Sequence, residues 1–104
     1  MSGEEEFLSL CEGLAARGVP MLSAMLIVAA GLGVASDSRS FARVLGVEHA
    51  LALRELVAME EETVLVTISR RDPRSQRAHF ALTEAAQSLL AHAKADRAAG
   101  GAVG

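Results

Sequence analysis

The densest chemistry in this 104-residue chain is cationic: Arg70, Arg71, Arg74 and Arg77 fall within eight residues, with Asp72 as the one acid among them. Guanidinium groups at that density suit phosphate oxygens or insertion into a narrow minor groove, and the plain alternative is a solvated turn. Upstream, Arg39 and Arg43 are four apart and share one helical side, from which they can reach backbone phosphates, with Ser38 and Ser40 adding hydrogen bonds. Other chemistries find less to work with. His49, His79 and His92 have no metal-ligand spacing, and the single cysteine, Cys11, excludes an internal disulfide and a multi-cysteine zinc site. No glycine-rich phosphate loop, serine-histidine-acid grouping or paired carboxylates stand in a catalytic context, so no enzyme activity and no cofactor are expected.

The elements that must position these arginines centre on Asp37 to Leu56. Ser36 or Asp37 can cap a first helix whose apolar side is Phe41, Ala42 and Leu45; Gly46 ends it, and Val47 restarts the chain in a new direction. Two helices joined through one glycine form the geometry that sends the second into a DNA major groove while the first braces it. Downstream, Thr63 to Ser69 sets Val64, Val66 and Ile68 against Thr63, Leu65 and Thr67. Ala78, Phe80 and Leu82 resume the alternation, which predicts a β-hairpin with Arg70 to Arg77 as its basic tip.

The flanks are helical. Glu4, Glu5 and Glu6 suit a first turn, Phe7, Leu10, Cys11 and Leu14 follow at helical spacing, and Gly18 closes a helix over residues 1–18. Pro20 precedes a helix at Met21 to Gly31 that is apolar nearly all round, with Met21 and Met25 as gap fillers or, less plainly, the lining of a ligand pocket. The uncharged run Val19 to Ala35 is short for a bilayer and is interrupted by Pro20, Ser23, Gly31 and Gly33, so a buried helix is expected and no membrane association. Thr83 caps a last helix with Ala85, Ala86, Leu89, Leu90 and Ala93 on one side, and residues 98–104 read as a flexible tail. One small domain over residues 1–104 can hardly bury Phe7, Leu10, Leu14, Leu89 and Leu90 alone, which points to a homodimer through the first and last helices.

The order PheAlaArgValLeuGlyVal, a second helix, strand-formers, an arginine-rich turn and AlaLeuThrGluAla resembles the winged helix-turn-helix regulators of the MarR type, over roughly Pro20 to Ala93. The resemblance implies a mainly α fold with a small β-hairpin wing and a transcription-regulating, cytoplasmic homodimer on double-stranded DNA, open to a small-molecule effector. It places Glu48, His49, Leu51 and Arg54 at base-reading positions, of which Arg54 alone matches the family's chemistry. It also implies an Asp-Arg pair in the wing, with Asp72 holding Arg74 or Arg77.

The net charge of −3 is uneven: residues 1–35 and 36–62 each carry −3, and residues 63–104 carry +3. Glu48, Glu55 and Glu62, spaced by seven, predict an acidic stripe along the second helix, thickened by Glu60 and Glu61. A stripe of that kind repels phosphate, although one glutamate can accept a hydrogen bond from cytosine. The alternative function is therefore a winged-helix module for protein contacts that has lost DNA binding. A redox switch at Cys11 is a third reading, against which stands the usual inertness of a lone cysteine on an apolar helical side.

Overall fold

A computed structural model describes the backbone of residues 3–103 and the side chains of residues 3–99. The elements in order are α1 (Gly3–Ala16), α2 (Met21–Gly31), α3 (Ser38–Leu45), α4 (His49–Ala58), a π-turn (Met59–Thr63), β1 (Val66–Arg71), β2 (Ala78–Leu82) and α5 (Glu84–Val103). The molecule is mainly helical, with one two-stranded antiparallel hairpin.

The helix α2 is the hub because it is apolar on all sides: Ala24, Leu26, Ile27, Val28 and Ala29 are buried, and α1, α4, α5 and β2 all pack on it. Leu10 and Leu14 from α1, Phe41 from α3, Leu56 from α4, Val66 and Phe80 from the hairpin and Leu90 from α5 complete one core. That arrangement already encloses several of the residues expected at a dimer face. Leu10 and Leu14 are fully enclosed and Leu90 nearly so, while Phe7 and Leu89 are half-buried against the same core. One chain buries them because α1 and α5 lie against each other, with the Ala93 Cβ only 3.4 Å from where a Cβ on Gly13 would sit.

Several boundaries differ from those expected. The strand starts at Val66 rather than Thr63, because the chain leaves α4 through the π-turn and then passes Val64 in a left-handed conformation (φ 55°, ψ 40°), where its side chain is exposed. Thr63 Oγ1 donates to the Met59 carbonyl and the Leu65 amide donates to the same oxygen at 2.9 Å, so these bonds replace the ladder that an extended segment would need. At the other end β1 runs through Arg70 and Arg71, so the tip is Asp72 to Arg77 and not the full arginine run. The register changes between Ile68 and Arg70, which leaves Ser69 as a bulge. The helix α5 continues to Val103 through most of the segment read as a tail, since alanine at four of its last nine positions favours helix strongly enough to carry Gly100 and Gly101; Gly104 lies outside the described residues. Among the described residues no helix is long and apolar enough to cross a membrane.

Candidate nucleic-acid interface

The helix pair is built by its end residues. The Asp37 carboxylate accepts the Ser40 amide at 2.9 Å and so caps α3. At the other end Gly46 takes the left-handed conformation (φ 68°, ψ 32°), and the Val47 amide closes the turn on the Ala42 carbonyl at 3.0 Å. His49 then opens α4. Glu48 stands at the cap position in extended backbone, exposed, and its carboxylate makes no capping bond.

The hairpin is fastened to α3 by contacts spanning about forty residues of chain. Arg77 donates to the Asp37 carboxylate at 2.8 Å and reaches the Ser40 hydroxyl at 3.4 Å. Arg39 donates twice to the Ser75 carbonyl, from Nε at 2.9 Å and from a terminal nitrogen at 2.6 Å. The Phe80 amide donates to the Ser36 carbonyl, and Asp37 pairs with His79 as an isolated bridge. Ser38 is fully buried between them: its Oγ accepts the Ala78 amide at 2.8 Å and lies 2.7 Å from His49 Nε2.

These bonds redistribute the expected site residues. Ser38 is internal and cannot touch a ligand on the surface; Arg39, Ser40 and Arg77 are committed to holding the hairpin. The Asp-Arg pair exists, but the carboxylate belongs to Asp37 and not to Asp72. Asp72 instead accepts the amides of Arg74 at 2.8 Å and Ser75 at 3.3 Å and shapes the tip as an Asx turn. Those two amides, helped by Arg70 and Arg77 and opposed by burial, hold its carboxyl below the usual aspartate value. Arg43, Arg54, Arg70, Arg71 and Arg74 are exposed, and Leu51 is largely so at 41%.

The acidic stripe does not form. Glu55 turns inward and accepts the Ser23 hydroxyl of α2, Glu60 accepts the Ile68 amide of β1 at 2.7 Å, and the π-turn shifts Glu62 off the helical spacing. Two of the five acids near α4 therefore serve the fold, leaving Glu48, Glu61 and Glu62 exposed.

Around His49 the field is positive. Burial first, and then Arg39, Arg71 and Arg77, push its imidazole below the usual histidine value, with Asp37 acting against them. Three guanidinium groups from α3, β1 and the foot of β2 thus bear on the start of α4. The Ser38–His49 pair has the atoms of a nucleophile and its base, yet a serine oxygen closed from solvent and already bonded to a backbone amide cannot attack a substrate. Among the described residues no group of His, Cys, Asp or Glu could hold a metal ion.

Cys11 is buried, and that burial, with the Glu12 charge adding, pushes its thiol up to about 11, the opposite of a reactive cysteine. It borders an apolar groove of about 490 Å³ between α1, α2 and α3, lined also by Phe7, Met21, Met25 and Leu45, with Leu8, Met21, Val34 and Val44 exposed at its rim.

The contacts that sequence reasoning missed are the long-range pairs Asp37–Arg77, Arg39–Ser75 and Ser38–His49. Only the first left a signal, because a capping aspartate keeps its charge and spare lone pairs for a second donor, and here the same Oδ1 that accepts the Ser40 amide also accepts Arg77. No family model, no curated protein and no solved structure matches the chain.

Proposed function

We propose that the chain is a small DNA-binding transcriptional regulator with a winged helix-turn-helix fold of the MarR-like type. In this reading α4 is the recognition helix and the hairpin is the wing. The observation that supports it is the joining of the helix pair to an arginine-bearing hairpin, which surrounds the start of α4 with Arg39, Arg71 and Arg77 while Arg70 and Arg74 stay exposed. Arg43, Arg70, Arg71 and Arg74 supply phosphate contacts, which position without specifying, and Arg54 supplies the base contact. Glu48 and His49 sit where a base edge would be met.

The protein would act as a homodimer on palindromic DNA, blocking a promoter, with α1 contributing the exposed Leu8 in place of the enclosed Leu10 and Leu14. The groove between α1, α2 and α3 is where an apolar small-molecule effector fits.

Fluorescence anisotropy on pooled random duplexes across a salt series is the test. Binding through four phosphate contacts per protomer, at about 0.9 per contact, gives a log-log salt slope of roughly −7 for the dimer and about half that for a single chain. Absence of binding at low salt removes this reading in favour of the protein-contact module, whose surface would be the apolar groove and the exposed Val44 and Leu51.

A further inference from the structure

We propose that the Ser38–His49 contact is a proton-operated latch joining the hairpin to the two short helices, closed while the imidazole is neutral and released when it takes up a proton. The argument starts from a count of hydrogens at one buried oxygen. Ser38 Oγ accepts the Ala78 amide of β2 at 2.8 Å, so its own single proton must be given away, and His49 Nε2 at 2.7 Å is the acceptor it meets. The ring must then present a lone pair at Nε2 and carry its proton on Nδ1. In this arrangement no buried side-chain nitrogen or oxygen among the described residues lacks a partner.

A second proton on the ring reverses the balance. Nε2–H and the Ala78 amide would both point at Ser38 Oγ, and the hydroxyl proton would be left without an acceptor at a fully enclosed residue. The charge would also be badly placed. Arg39 bears on the ring from α3, Arg71 from β1 and Arg77 from the foot of β2, while Asp37 is the single opposing carboxylate and is already engaged by Arg77 and Ser40. His79 faces Asp37 from β2, and Glu48, the chain neighbour of His49, is exposed. His49 is only half-buried, so a proton reaches it without unfolding. The other fastenings, Arg39 to Ser75 and Phe80 to Ser36, involve no imidazole, so release is local to Ser38, His49 and Ala78. The latch is a property of the fold and stands whether or not the chain binds DNA.

The test is an NMR titration of the full chain from about pH 8 to pH 5, following the His49 ring and the Ala78 amide. Both should move with one midpoint, below the ordinary histidine value of about 6.5. Exchange protection of the Ala78 amide should fall roughly 5- to 30-fold as the ring charges, the factor expected for one buried hydrogen bond. His49→Gln keeps an acceptor for the hydroxyl but cannot titrate, so its Ala78 amide should stay flat and protected across the same range. A wild-type Ala78 amide that ignores the His49 titration, or an amide that still titrates in His49→Gln, overturns the proposal.

Discussion

Replacing Asp37 tests how the hairpin and the helix pair become one unit, because its carboxylate both caps α3 at 2.9 Å and pairs with Arg77 at 2.8 Å. Asp37→Ala loses the cap, about 1 kcal/mol. It also loses the ion pair, but the Arg77 side chain is 40% exposed and its freed charge is hydrated, so that part is at most about 1 kcal/mol. The expected destabilisation is about 1 to 2 kcal/mol, at roughly 4 to 8 °C of melting temperature per kcal/mol for a domain of this size. Asp37→Asn separates the two parts, since asparagine caps about as well as aspartate, and should cost no more than about 1 kcal/mol. Burial pushes the Asp37 carboxyl up, but the Ser40 hydrogen bonds and the charges of Arg77 and His79 together outweigh it, leaving the folded value below that of an ordinary aspartate. A lowered carboxylate gives stability that is complete above the unfolded value and is lost as pH falls through the folded one. Urea denaturation of the wild type and Asp37→Ala should therefore show a gap near pH 7 that narrows as pH is taken toward 2. An unchanged gap at both ends, or an asparagine variant as weak as the alanine one, refutes the reasoning.

The Cys11 thiol, buried and raised to about 11, should react with a disulfide reagent near pH 8 only through unfolding; complete reaction of folded protein within minutes would contradict its placement. Val64→Gly should stabilise by up to about 1 kcal/mol, because a branched residue is held at φ 55° with its side chain 59% exposed and little packing to lose. A fall in melting temperature would show that Val64 makes contacts that matter more than its backbone strain. On DNA, Arg74→Ala should reduce the salt slope by roughly one contact per protomer with all sequences weakened alike, and Arg54→Ala should cost about 1 to 3 kcal/mol on a preferred duplex alone. Arg77→Ala should weaken folding and binding together, since its partner is Asp37; binding lost at unchanged melting temperature would restore Arg77 to the DNA surface.

How far the fold was legible follows from the range of the forces involved. Helix ends set by one or two residues were plain: the Asp37 cap, the left-handed Gly46 and the left-handed Gly18 all act within a turn of the chain. The all-round apolar run at Met21 to Gly31 was equally plain as a central helix. The start of β1 was not, because Thr63 to Ile68 alternates as a strand should, while the path out of α4 places Val64 in a conformation that local preference disfavours. Packing of Met59, Leu65 and Val66 into the core outweighs that preference. The apolar stripes of α1 and α5 were visible, but periodicity cannot say whether a stripe meets its own chain or a second one, and here Leu10, Leu14 and Leu90 meet their own.

The candidate site shows the same division. Residue type marked Arg70, Arg71 and Arg74 as a basic surface, and their exposure depends on nothing beyond the outer end of a hairpin, where the last two residues of β1 and the tip stand clear of the core. Arg39 and Arg77 look identical to them in sequence and differ only in what folding brings near, a carbonyl in one case and a carboxylate in the other. The acids divide likewise: spacing by seven groups Glu48, Glu55 and Glu62, yet Glu55 meets Ser23 of α2 and the π-turn carries Glu62 out of line. A charge count along α4 therefore overstates the repulsion that an approaching phosphate would meet. Glu48 is the one acid at the opening of that helix, so it is the position at which a change to alanine should most strengthen binding to duplexes of any sequence.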